Sequence, residues 1–117
     1  MAKKILVVDD DKGILEISKH MLLEQGYEVE TAMDGVDAFE LLSQHSFDLI
    51  LLDIRMPGIN GQTMFEVIRE YMPDVDVIIA SVFPVYQQRE LFPKAKDYYD
   101  KSQGPFVLLD KLANVLL

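Results

Sequence analysis

The chain has 117 residues, 50% of them hydrophobic and 26% charged, which fits one compact domain and not a disordered segment. It has no cysteine, so a disulfide scaffold, a thiolate zinc site, an iron–sulfur cluster and a cysteine nucleophile are excluded. Twenty acidic residues against 11 basic ones give a net charge of −9, so no direct nucleic-acid contact is expected from the overall field.

The first element is a strand, Ile5-Leu6-Val7-Val8, continuously apolar as in strands buried on both faces, with Asp9-Asp10-Asp11 directly behind it. A helix follows, with Ile14, Ile17, Met21 and Leu22 on one face and Gly26 where a C-terminus favours the left-handed conformation. A weaker strand spans Glu28 to Ala32, and Asp34 caps a second helix with the stripe Val36, Phe39 and Leu42. The strand Leu49-Ile50-Leu51-Leu52 ends on Asp53. The third helix carries Met64, Val67, Ile68 and Tyr71 and is closed by Pro73. The strand Val77-Ile78-Ile79-Ala80 ends on Ser81.

From Val82 to Pro93 no apolar stripe continues. Pro84 suits a first helical turn, and Pro93 pushes Phe92 out of the helical region. At most about eight residues, about two turns, remain between them. The expectation is a short or irregular fourth helix, more mobile than the others. A weak strand, Lys96 to Asp100, then delivers Lys101, and Leu109, Leu112, Ala113 and Leu116 mark the last helix. Strands alternating with helices over short loops imply an α/β domain with a parallel sheet and right-handed crossovers, expected to fill residues 1–117. No apolar run nears the roughly 20 residues of a membrane span. The start, Met1-Ala2-Lys3-Lys4, lacks the apolar stretch of a signal peptide, so no membrane insertion and a cytoplasmic location are expected.

In open parallel sheets function gathers beyond the carboxyl ends of the strands. Those ends hold Asp9, Asp10, Asp53, Ser81 and Lys101. With the first and third strands as neighbours, three carboxylates crowd one shallow pocket, a repulsion that a cation relieves. A hard divalent ion suits such a set, Mg2+ above all. Lys101 adds a compact positive charge and Ser81 a hydroxyl, around a carboxylate able to attack phosphorus. Simpler readings exist for the parts: the acidic run as a helix N-terminus, Gly58 and Gly61 as turn residues. Arg55 either tunes the lifetime of a phosphoryl group or pairs with a surface acid. His20 and His45 have no partner at ligand spacing. An aspartyl-phosphate hydrolase wants a second aspartate where Arg55 stands. A flavodoxin-type cofactor domain wants a Gly- and Ser/Thr-rich loop where the acidic run stands.

Taken in order, Ile5 to Asp10, Asp48 to Asp53 with Met56-Pro57-Gly58 and Gly61, Ser81, and Asp97-Tyr98 through Lys101 resemble the receiver domain of two-component response regulators, the chemotaxis- and sporulation-type single-domain receivers among them. The resemblance covers nearly the whole chain. It implies a doubly wound, flavodoxin-like five-stranded sheet in the order 2-1-3-4-5. It implies Asp53 as phosphoacceptor from a histidine kinase or histidine phosphotransfer protein in a phosphorelay, and an unknown downstream effector. Mg2+ would be held by Asp10, Asp53 and the backbone carbonyl of Arg55, with Asp9 acting largely through a water. Lys101 and Ser81 would bind phosphoryl oxygens, and Ser81 and Tyr98 would form the switch. The domain would be no enzyme beyond its own phosphotransfer and slow autodephosphorylation.

The alternative is a degenerate receiver that works as a phosphorylation-independent interaction module. Ser102 stands where the family usually has a cis proline, Val82 where a smaller alanine is common, and Lys94-Ala95 where Gly-Ala is usual. The Ser81–Lys101 spacing is slightly short. These departures all lie in the fourth and fifth units.

Overall fold

The structure is a computed structural model that describes residues 2–54 and 61–117. Its elements are β1 (Lys4–Val8), α1 (Lys12–Glu24), β2 (Glu28–Ala32), α2 (Gly35–Gln44), β3 (Leu49–Asp53), α3 (Gly61–Tyr71), β4 (Asp76–Ser81), α4 (Val85–Leu91), β5 (Asp97–Asp100), a 3-10 turn (Lys101–Gln103) and α5 (Pro105–Leu116). The strands are all parallel, in the order β2-β1-β3-β4-β5. Alternate strand residues feed opposite faces. Leu6, Val8, Ile50, Leu52, Val77 and Ile79 pack with residues of α2, α3 and α4. Ile5, Val7, Leu49, Leu51, Ile78 and Ala80 pack with residues of α1 and α5. Covering both faces is what the continuous apolar strands require.

The expected helices form, but several present a different face. In α1 the buried residues are Leu15, Ser18 and Leu22, while Ile17 is 70% exposed. Residues three or four apart share a face, so burying Leu22 fixes Ser18 and Leu15 beneath it and turns Ile14 and Ile17 outward. In α2, Ala38 is buried and Val36 exposed; in α3, Phe65 joins Met64 and Ile68 while Tyr71 is exposed; in α5, Leu108 joins Leu112 and Ala113 is exposed. Each sheet-facing stripe is narrower than the set of apolar residues on its helix.

The end signals hold. Asp11 caps α1, its carboxylate accepting the Ile14 N–H at 3.1 Å, and Asp34 caps α2 through the Asp37 N–H at 2.8 Å. Gly26 has φ +89°, with its N–H on Leu23 O and the Tyr27 N–H on Leu22 O, the pattern that closes a helix through a left-handed residue. Gly61, expected as a turn residue, instead begins α3. A Cβ there would lie 2.6 Å from the Ile54 Cα, so only glycine lets α3 approach the chain leaving β3.

The fourth helix is as short as expected, seven residues between Pro84 and Phe92. Its anchor is polar. The fully buried Gln88 donates from Nε2 to the carbonyls of Phe83 (2.7 Å) and Tyr99 (2.9 Å), tying the helix to the loop before it and to β5. Removing the amide strands two carbonyls where water is excluded, at up to about 1–3 kcal/mol each, and offsets part of this by removing the buried Gln88 Oε1, which has no partner of its own among the described residues. Gln88→Ala is therefore expected to lower stability in urea unfolding by about 1–3 kcal/mol, and to speed amide exchange in α4 before the other helices. Unchanged exchange in α4 would show that the amide does not hold it.

Candidate functional site

Parallel register aligns the strand ends. Val8 sits opposite Leu52, Asp53 opposite Ala80, and Ser81 opposite Asp100. One residue beyond β1 comes Asp9, its N–H on the Ala32 carbonyl at 3.0 Å. Asp9 and Asp53 are almost fully buried and Asp10 is exposed. One carboxylate oxygen from each of the three lies within 4.8 Å of the others. Their all-oxygen, anionic donor set, open on the Asp10 side, fits a hard divalent cation.

Lys101 enters from β5. Its Nζ donates to Asp9 Oδ2 at 2.7 Å and to Asp53 Oδ2 at 3.2 Å. Asp9 is also oriented by the Asp11 N–H, which donates to its Oδ1 at 3.0 Å. A cavity of about 290 Å³ opens above the set, bounded by the acidic run, Ile14, Val82 and Lys101. A more apolar one of about 260 Å³ runs beside it between α1 and α5. A larger depression of about 590 Å³ surrounds His45, Asp48 and Asp74 at the opposite, amino ends of the strands, and contains none of the expected site residues.

Burial works to lower the Lys101 pKa, but the Asp9 hydrogen bond and the charges of Asp53 and Asp9 outweigh it and raise it above the ordinary 10.5. Asp100 titrates below its ordinary value because the Ser102 hydroxyl and N–H both donate to its carboxylate. Burial raises Tyr98 and Tyr99.

Asp9, Asp10, Asp53 and Lys101 are thus brought together as expected. Ser81 closes β4 fully buried, its hydroxyl accepting the Phe83 N–H at 3.1 Å. Tyr98 is buried, its hydroxyl donating to the Phe92 carbonyl and its ring lying 5.1 Å beneath the Arg89 guanidinium. The Arg55 carbonyl, with Met56, Pro57 and Gly58, lies outside the described residues. Among the described residues every peptide bond is trans, Lys101–Ser102 included. Sequence reading missed the capped turn after β5. Asp100 accepts from the Ser102 N–H (2.9 Å) and Oγ (2.7 Å), and the Gln103 side chain accepts the Asp100 N–H at 3.4 Å. The signal was an aspartate three residues before a glutamine, a capping-box spacing.

The comparisons agree with this geometry. The family model described as response regulator receiver domain matches residues 5–113. A response regulator, MprA of Mycobacterium sp. (strain KMS), is 33% identical over 117 residues, 98% of this chain and 50% of its own length. The chain therefore spans about half the length of such curated relatives. The response regulator TrrA of Thermotoga maritima, solved in complex with Mg(2+)-BeF, superposes with TM-score 0.87 at 35% identity, covering 97% of this chain and 98% of that one. TrrA solved in complex with the histidine kinase ThkA gives 0.89 at 36%, covering 98% and 99%. The chemotaxis protein CheY4 of Vibrio cholerae gives 0.91 at 28%, covering 98% and 99%.

A lysine whose pKa is raised on folding adds stability that is complete below its unfolded pKa and lost as pH rises through the folded one. The parent is therefore expected to exceed Lys101→Met in urea midpoint at about pH 8, with the gap closing toward about pH 11 as the ammonium deprotonates. A gap independent of pH across that range would show that Lys101 carries no such charge.

Proposed function

Since this chain belongs to the response regulator receiver domain family, we propose that it accepts a phosphoryl group onto Asp53 from the phosphohistidine of a histidine kinase or histidine phosphotransfer protein. The single observation that carries this reading is the buried Asp53 carboxylate beside Asp9 and Asp10, with the Lys101 ammonium already on it. An Asp53 oxygen attacks phosphorus, the P–N bond of the donor breaks, and the neutral imidazole leaves with a proton from solvent. The product is an acyl phosphate on Asp53. Lys101 bonds a phosphoryl oxygen in place of its carboxylate contact, and Ser81, released from the Phe83 N–H, bonds another. Transfer of this kind needs positioning and charge neutralisation more than covalent help from the protein.

Asp9, Asp10 and Asp53, with the carbonyl of Arg55, are the residues that would hold Mg2+. Bound there, the ion would neutralise charge on the transferring oxygens. The Mg(2+)-BeF complex of TrrA supports the choice of ion, and the complex of TrrA with ThkA supports the class of donor. Beyond its own phosphorylation and slow autodephosphorylation the domain turns over no substrate. Ser81 and Tyr98 form its switch, a charge event at Asp53 repacking the last strand and α4 toward a downstream effector. The domain works in the cytoplasm, and its net charge of −9 favours protein partners over nucleic acid. The interaction-only reading rested on departures in the fourth and fifth units, among them the missing proline after Lys101. Lys101 reaches Asp9 and Asp53 across a trans bond, which favours the phosphoacceptor.

Incubation with Mg2+ and a small phosphodonor is expected to add one base-labile phosphoryl group by intact mass, and Asp53→Asn to add none. Equal uptake by Asp53→Asn would overturn the assignment. Absence of uptake by the parent from both the small donor and a kinase would return the interaction-only reading.

Millimolar Mg2+ is expected to raise the melting temperature, because it binds only the folded carboxylate cluster. Asp10→Asn, which leaves Lys101 and its partners in place, should lose most of that rise and phosphorylate more slowly. A rise kept in full by Asp10→Asn would take that residue out of the ligand set.

A further inference from the structure

Lys101 is the first residue after β5, and it is also the first residue of the 3-10 turn Lys101–Gln103. Its backbone direction is therefore set by whatever holds that turn. The direction matters because the ammonium sits at the end of a flexible four-carbon stem, and a compact point charge is only as well placed as the backbone that carries it. A short 3-10 turn has poor hydrogen-bond geometry of its own, so side chains must fix it.

The strongest tie is Asp100. Its Oδ1 accepts from both the Ser102 N–H at 2.9 Å and the Ser102 hydroxyl at 2.7 Å, straddling Lys101 from the residue before it to the residue after. The Gln103 side chain accepts the Asp100 N–H in return, though at 3.4 Å. Beyond the turn the Tyr99 hydroxyl, on a buried ring, donates to the Gly104 carbonyl at 2.8 Å, and Gly104 takes φ +89° to start α5. Asp100 itself pairs in register with Ser81, so the strand end that bears the clasp is fixed to the strand end that bears the hydroxyl.

We propose that Asp100 is a positioning residue, whose carboxylate, clasping Ser102, fixes the trans-bonded turn that holds the Lys101 ammonium on Asp9 and Asp53. This deepens the phosphoacceptor reading and, for its rate consequence, rests on it. The plain alternative is a local cap that stabilises a surface turn and leaves Lys101 indifferent. The two differ in what happens at the Lys101 ammonium, not in what happens to the turn.

The experiment compares the full chain with Asp100→Ala, which removes the acceptor, and Asp100→Asn, which keeps an acceptor oxygen without the charge. The first measurement needs no phosphodonor: competitive reductive methylation of amines, read peptide by peptide, with exposed Lys12 and Lys19 as internal standards. Lys101 is expected to be protected in the parent, several-fold more reactive in Asp100→Ala, and protected again in Asp100→Asn. The second is phosphorylation by a small donor with Mg2+. Asp100→Ala is expected to slow about tenfold, a fraction of the about hundredfold that a displacement of about 1 Å can cost, and Asp100→Asn to recover most of the rate. The third is Mg2+ affinity by titration, expected to be equal or tighter in Asp100→Ala, because its carboxylate ligands stay and a competing ammonium is loosened.

Lys101 protected equally in Asp100→Ala and the parent would overturn the proposal, as would Asp100→Asn behaving like Asp100→Ala. So would loss of Mg2+ affinity together with the rate, the signature of a role in stability alone. A parent that takes up no phosphoryl group would overturn the phosphoacceptor reading instead, while the methylation result still decides whether Asp100 positions Lys101.

Discussion

Everything at the carboxyl edge of this sheet answers to one constraint: two carboxylates, Asp9 and Asp53, are buried side by side. The order β2-β1-β3-β4-β5 makes β1 and β3 neighbours, and their register leaves the two aspartates at adjacent strand ends. Burying such charges without a counterion is prohibitive. The counterion is Lys101, separated from them by 92 and 48 positions in the chain. The site is therefore assembled only when β5 has joined β4, and the last strand is as much a part of it as the first. Counted formally, three carboxylates and one ammonium leave two negative charges, the charge of a divalent cation with the sign reversed.

The same edge is continuous with α4 through hydrogen bonds. Ser81 accepts from the Phe83 N–H, Gln88 donates to the Phe83 and Tyr99 carbonyls, and Tyr98 donates to the Phe92 carbonyl. Pro93 ends the helix at Leu91, and Phe92 becomes the cap whose carbonyl receives the tyrosine. A helix of seven residues with little apolar surface is thus fastened by polar groups at both its ends and its middle. Such bonds are directional, so each is either made with its partner or lost. An element held this way suits discrete rearrangement.

The three central strands and the acidic pocket were legible in the sequence because continuous apolar blocks end there on Asp9, Asp53 and Ser81, while the strand order came from the family resemblance and not from the pattern itself. Caps were equally legible: Asp34 and Gly26 act through their own local backbone. Helix faces were not. Ile14, Ile17 and Val36 look like core on composition, yet the sheet takes Leu15, Ser18, Leu22 and Ala38, since close helix–sheet packing selects by position and rewards small residues. Gly61 read as a turn because its reason, the Ile54 backbone, is brought near by tertiary structure alone. Gln88 was invisible for a similar cause. Nothing in a local window marks a glutamine whose partners, at Phe83 and Tyr99, lie on either side of a proline-bounded helix.

The departure from the family pattern directly after Lys101 then takes on a different meaning. Replacing a ring-constrained residue by Ser102 returns an N–H and adds a hydroxyl, and Asp100 receives both. Rigidity that elsewhere resides in one covalent ring is here distributed over hydrogen bonds from Ser102, Gln103 and Tyr99. A lysine in this position has two tasks: to neutralise Asp9 and Asp53 at rest, and in the proposed phosphorylated form to meet an oxygen that lies farther out. The long stem supplies the change in reach only if the backbone beneath it stays still. A fixed turn under a flexible side chain meets both demands, and neither a flexible turn nor a rigid side chain would.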